Sequence, residues 1–377
     1  LRVSDDELDR AAVSDEVDRA IDDAIAHLRA FNEQQLARLA DWSFESEPGL
    51  QVGEKITPIT SAGLFTPSGK ASYPSVTYQL AVPATVAGVP DIAAVVPPVP
   101  GGTGEVDPAV RVVCRKLGVR DLFRVNGPAG IAALGFGTAS IPKVAKVMGP
   151  GSPAVTIAQV ELQRHGVSTV MLLGPTESIV IADGSADVHC LAADLLIEAE
   201  HGTDSSVVLI AVDESLVDAV DRELAAQLAD LPVPRAEAAR ASLGPNGGAV
   251  VVDSYEQAVE VANRYAAEHL QVAVDDEHVE SVVDGIVNAG EILIGQHTPF
   301  SAANFVIGCP ASLPTSGFAR VSSGVTAATF LKRTAVARAD ARALERMSTS
   351  VAARADHEGF PALAAAIRRR RAANGGA

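Results

Sequence analysis

The sequence predicts an α/β fold built on parallel sheets, and three observations carry that reading. Strand-like apolar runs alternate with helical stretches from about Gly63 onward, the pattern of strands joined by crossover helices. The composition is 47% hydrophobic but only 4% aromatic, with 31 Gly and 22 Pro to serve turns, which suits an Ala- and Val-rich α/β enzyme and not a repeat array. A length of 377 residues is enough for two or three cored domains.

Taken in order, Ser4-Asp5-Asp6-Glu7 has the spacing of a capping box, and Ser14 starts a long helix with Val17, Ile21, Leu28 and Phe31 along one stripe. The chain to about Trp42 is therefore expected to be helical. Strands are expected at Ile92–Val96, Leu122–Val125, Val144–Met148, Thr169–Leu173, Ile179–Ala182, Val207–Val212, Ala249–Val252 and Glu291–Ile294. The turn-rich Gly174-Pro175-Thr176-Glu177 separates two series of these strands, so two sheet units are expected. From about Ala327 the chain reads as an Arg- and Ala-rich helical tail interrupted by Gly359 and Pro361, too thin to core a domain and so expected to dock. The expected segments are 1–62 (N-terminal helices and the start of the first sheet domain), 63–176 (the nucleotide side), 177–326 (the remainder, with the catalytic corner) and 327–377 (the tail).

A net charge of −17 argues against nucleic acid or an anionic membrane as a partner, because both require a basic surface. The basic run Arg368-Arg369-Arg370-Arg371 reads as the C-terminal turn of a helix complementing its dipole. Cys114, Cys190 and Cys309 are too few and too scattered for a disulfide framework or a Cys-based zinc site, and they suit a reducing cytoplasm. No signal peptide or membrane span is read, and because the chain begins at Leu1 and not Met, it is either short at this end or incompletely covered.

Four stretches offer chemistry. Gly149-Pro150-Gly151-Ser152-Pro153 follows a strand and opens a helix, with Ser152 at the N-cap and Pro153 at the first helical position. Such a terminus can hold a phosphate on its N–H groups, and it can equally be an ordinary turn. Gly63 to Lys70 is a second turn of the same ambiguity. Glu198 and His201, three apart at the end of a helix, share a face and can share a metal or form a surface pair. In Glu268-His269, a helix hands over to a strand with an acid and an imidazole at the junction, which can move protons near neutral pH. Taken alone, most such dipeptides are a solvated acid beside a packed His.

Together these stretches resemble histidinol dehydrogenases. The matching segments are Gly63-Leu64-Phe65-Thr66-Pro67-Ser68-Gly69-Lys70-Ala71-Ser72-Tyr73-Pro74-Ser75, Phe123-Arg124-Val125-Asn126-Gly127, Gly149-Pro150-Gly151, Gly174-Pro175-Thr176-Glu177, Ala199-Glu200-His201-Gly202-Thr203-Asp204-Ser205, Ala267-Glu268-His269-Leu270, Leu313-Pro314-Thr315 and Phe330-Leu331-Lys332-Arg333, in the family's order. The resemblance implies two incomplete Rossmann-like domains, flanked by N- and C-terminal helical segments that dock across a homodimer with an exchanged tail. It makes Glu268 the water-activating acid and His269 the base in taking histidinol through its aldehyde to histidine with NAD. The family's zinc positions fall on Glu198, His201, Asn304 and Leu363, and a substrate-contacting His falls on Ala311. Substrate contacts are kept at Thr176 and Glu358. Positions that touch NAD fall on Phe65, Ala129 and Ser152, beside Gly149 and Gly151. Asn304 is a poor zinc ligand and Leu363 is none. The sequence-based expectation is therefore a zinc-independent dehydrogenase of a polar alcohol other than histidinol, using NAD or NADP, with no metal ligands and with Glu198, His201 and Asn304 turned to substrate binding. A catalytically silent scaffold is the alternative, and a genuine histidinol dehydrogenase the lowest one.

Overall fold

A helix that caps itself begins the chain. The computed structural model describes residues 1–68, 72–170 and 174–374. In α1 (Asp5–Asp9) the Glu7 N–H donates to Ser4 Oγ and the Glu7 carboxylate accepts from the Ser4 N–H, the reciprocal pair that the spacing predicts. In α2 (Asp15–Leu36) the buried stripe is Ile21, Ala24, Ile25, Leu28 and Asn32. Val17 and Phe31, expected on that stripe, are 41% and 38% exposed: Val17 lies in the first turn, and Phe31 sits about 80° around the helix from Ile21. Asn32 takes a core position because both ends of its amide are used, by the Leu28 carbonyl (2.8 Å) and the Ala327 N–H (2.7 Å).

The chain then departs from expectation. Residues beyond α2 do not lead straight into the first parallel sheet but form the antiparallel pair β1 (Trp42–Glu47) and β2 (Leu50–Pro58). The first parallel sheet follows as β3 (Ser61–Phe65), α3 (Pro74–Val86), β4 (Asp91–Val96), α4 (Pro108–Lys116), β5 (Asp121–Arg124), α5 (Gly127–Phe136), β6 (Lys146–Met148) and α6 (Pro153–Leu162). Gly63, expected in a turn, lies inside β3. Part of the expected strand Thr169–Leu173 lies outside the described residues, as do Gly69, Lys70 and Ala71.

The second sheet is made by β7 (Glu177–Ala182), α7 (Val188–Ala199), β8 (Ser206–Ala211), α8 (Glu214–Leu228), α9 (Val233–Leu243), β9 (Gly248–Val251), α10 (Tyr255–Tyr265), β10 (His269–Ala273), α11 (Asp276–Gly285) and β11 (Glu291–Ile294), with α12 (Phe300–Phe305) after it. The two sheets have the orders β5-β4-β3-β6 and β11-β10-β7-β8-β9. In each, the chain steps outward over three strands and then returns to the other side of the first, the plan of a Rossmann half, so the expected fold class forms. Every residue of β10 is buried, as a parallel strand covered on both faces requires.

The chain divides into two compact units, Leu1–Leu36 with Ile59–Phe330, and Ala37–Pro58 with the chain from Leu331 onward. In the second unit β12 (Leu331–Ala339) pairs antiparallel with β2 along its whole length, followed by α13 (Ala341–His357) and α14 (Pro361–Asn374). The tail expected to be helical from Ala327 thus opens with a short 3-10 turn and a nine-residue strand. Its Ala, Arg and Lys content favours helix locally, but the open edge of β2 supplies a full ladder of backbone partners. Arg371 reaches Glu345 of α13 at 2.7 Å and Arg368 pairs with Asp356, so the basic run ties the last two helices together.

Candidate active site

The Glu268–His269 corner is built by a sharp stop. Ser254 caps α10 by accepting from the Gln257 N–H, and Ala258 and Ala262 bury one face of the helix. The helix ends at Ala266, which takes the left-handed conformation (φ 63°, ψ 58°) that glycine usually supplies, and is fully buried. Arg320 donates to the carbonyls of Arg264 and Tyr265, satisfying the last turn. The chain leaves this stop directly into β10, whose first residue is His269.

Strand register decides what His269 meets. In β10 it lies opposite Ser178 of β7 on one side and Glu291 of β11 on the other. Its Nδ1 is 2.5 Å from Glu291 Oε1, and its Nε2 is 3.8 Å from Glu268 Oε1. The Phe300 ring packs edge-on against the imidazole at 5.8 Å. The Glu268 carboxylate accepts from the Glu177 N–H at 3.3 Å, and Gly290 allows close approach, since a Cβ there would lie 2.4 Å from the Glu268 carbonyl.

Burial dominates the electrostatics of this corner. The Glu268 carboxyl is pushed up to about 8, chiefly by desolvation. For His269, desolvation acts to lower the pKa, but the carboxylates of Glu198, Glu268 and Glu291 outweigh it and hold the proton more tightly than a free imidazole would. Both groups are thus proton carriers whose state depends on what charge enters beside them.

They open onto a cavity of about 430 Å³. Its wall brings together Thr176, Glu198, His201, Glu268, His269, Asn304 and Ala311 from distant parts of the sequence, with Pro67 and Pro150 from the turns after β3 and β6. Of the other residues singled out from the sequence, Phe65 is 2% exposed and belongs to the first sheet's core, its ring against Gly151. Ala129 is exposed in the first turn of α5, and Ser152 is exposed at the N-cap of α6 without a side-chain cap bond. Gly149 has φ 147°, and a Cβ there would lie 2.0 Å from the Phe65 carbonyl oxygen, so the turn after β6 can follow β3 this closely only with glycine. Glu358 belongs to the second unit, where it ends α13 and pairs with Arg354.

The four positions that the resemblance assigns to zinc are a poor fit. Glu198 is 1% exposed and has His201 Nδ1 3.4 Å from its Oε2. Asn304 turns its amide N–H toward Glu198 Oε1 at 2.7 Å, so it donates to the carboxylate instead of offering its carbonyl. Leu363 has no donor atom. This set offers two good ligands where a catalytic zinc takes three, and no step below is routed through a metal.

Glu291 is the site residue that sequence reasoning missed. It appeared only as the first residue of an apolar strand; its meaning lies in the register between β10 and β11, although a carboxylate opening a buried parallel strand is itself unusual.

Residues 1–371 match the family model described as histidinol dehydrogenase. The chain belongs to the histidinol dehydrogenase family. It is 40% identical over 373 residues to the histidinol dehydrogenase of Synechocystis, covering 98% of this chain and 84% of that one. The histidinol dehydrogenase of Methanosarcina barkeri is 36% identical, with 98% and 83% covered. A crystal structure of histidinol dehydrogenase from Elizabethkingia anophelis superposes with a TM-score of 0.94 at 32% identity, over 100% of this chain and 85% of that one. These matches overturn the expectation of a dehydrogenase for some other alcohol. The differences at Ala311, Asn304 and Leu363 are single positions, whereas the similarity to proteins of that name runs from end to end of the chain. No helix among the described residues is long and apolar enough to cross a membrane.

Proposed function

We propose that this chain oxidises histidinol, through its aldehyde, to histidine with NAD as the acceptor. The observation that carries the reading is the Glu268–His269 pair set in a wall that also holds Glu198 and Glu200, against Arg235. Such a cavity favours a cationic amino alcohol. Arrival of an amine beside Glu198 and Glu268 removes part of the field that holds the His269 proton, so the imidazole becomes a neutral acceptor when the alcohol is in place. His269 then takes the hydroxyl proton as hydride leaves the carbinol carbon. Glu268, once ionised, takes a proton from water attacking the aldehyde, and the resulting hydrate loses a second hydride, to a second NAD, as its hydroxyl proton goes to His269.

The first sheet supports NAD as the partner. The cleft between β3 and β6, where strand order reverses, is where this topology binds nucleotides. There α3 and α6, which follow β3 and β6, begin without side-chain caps, leaving N–H groups for phosphate. NAD bound there would supply the hydride acceptor.

The test is NADH formation on adding histidinol, followed by absorbance across pH. Turnover is expected to rise from acid into alkaline pH, because both proton acceptors have raised affinities for protons. No histidinol-dependent NADH at any pH would defeat the reading.

A further inference from the structure

The buried carboxylate of Glu291 needs a reason to be where it is. It opens a four-residue strand of otherwise apolar residues, and its side chain is only 6% exposed. Its Oε1 meets His269 Nδ1 at 2.5 Å, while its Oε2 has no hydrogen-bond partner among the described residues. No Lys or Arg is paired with it among the described ion pairs, so the imidazole is what offsets its desolvation. An apolar residue in this strand would avoid that desolvation cost.

The geometry points to Glu291 as the positioning residue of His269. It accepts the Nδ1 proton, which fixes the ring's orientation and leaves Nε2 facing Glu268 and the cavity as the atom that exchanges protons. Three constraints act together. The β10–β11 register sets the two side chains on one face, the Phe300 edge packs on the ring, and the carboxylate ties Nδ1. A base held this way is ready before substrate arrives, the same logic by which a buried acid orients the imidazole of a hydrolase triad. Glu268, at 3.8 Å from Nε2, is too distant to hold the ring and is left free to act on water.

The kinetic part of the test rests on the reading of the site as a dehydrogenase, while a spectroscopic part does not. Glu291→Leu removes the acceptor and suits an apolar strand; Glu291→Gln keeps the volume and an uncharged acceptor. In the unaltered protein a far-downfield proton resonance is expected for a charge-assisted Nδ1–H bond, assigned by its loss in His269→Ala. Glu291→Leu should abolish that resonance and lower kcat by about 10²- to 10⁴-fold with KM changed little. Glu291→Gln should shift the resonance upfield and fall between the two in kcat. Retention of the resonance in Glu291→Leu, or its loss with kcat unchanged, overturns the assignment. Absence of histidinol turnover in the unaltered protein would count against the proposed substrate, and the resonance would still decide the role of Glu291.

Discussion

The two parallel sheets share a strand plan but use opposite edges. In the first sheet, the turns after β3 and β6 give Pro67 and Pro150 to the cavity wall, at the C-terminal edge where strand order reverses. In the second, Glu177, His269 and Glu291 are the first residues of β7, β10 and β11, so the chemistry stands at the N-terminal edge. The second sheet's own C-terminal edge is closed by the chain itself. Asp187, Asp213, Ser254 and Asp275 each cap the helix that follows, and Asp183 accepts from the Tyr255 hydroxyl at 2.8 Å and the Asp275 N–H at 3.0 Å. Burial alone would raise the Asp183 pKa, yet these bonds and those from Ser185 hold it below the usual range. In the first sheet α3, α5 and α6 start with no side-chain cap. Topology thus offers two similar clefts, and capping leaves one of them open to a phosphate.

Substitutions can break this contrast at each edge. The largest effect is expected at the N-terminal edge of the second sheet, where His269→Ala should lower kcat on histidinol by about two to four orders of magnitude. A near-unaltered rate in steady-state assays would move the chemistry elsewhere. Next comes the turn after β6. Gly149→Ala must fit a Cβ against the Phe65 carbonyl at a φ suited to glycine, and should cost about 3 kcal/mol of stability by chemical denaturation. The smallest effect separates the two kinds of helix start. Asp275→Ala should cost about 1 kcal/mol by losing its cap to the Glu277 N–H, whereas Ser152→Ala should stay within about 0.5 kcal/mol because its side chain caps nothing. Equal melting shifts for the pair would erase the distinction between the edges.

What could be read in the sequence follows the range of each interaction. The capping box at Ser4, the stop before His269 and the expected strands other than Thr169–Leu173 are local patterns, and they form. The strand β12 was hidden because its residues favour helix and only pairing with β2 makes it a strand. Glu291 was hidden for a similar reason, since its partner is 22 residues away and is chosen by register. The substrate is legible in neither way: Asn304, Ala311 and Leu363 are three positions, and the similarity that outweighs them is spread over the whole chain.

The position of β11 at the border of its sheet carries a consequence for heat and denaturant. A short border strand has a neighbour on one side only and opens at lower free energy than the centre of a sheet. Each such opening would carry Glu291 away from His269 while β7 and β10 stay paired. Activity should therefore fade on warming before far-ultraviolet ellipticity does, and amide exchange at Ile292 and Leu293 should follow the same profile as the lost activity. The breathing of one four-residue strand would then set the temperature range over which His269 keeps its partner.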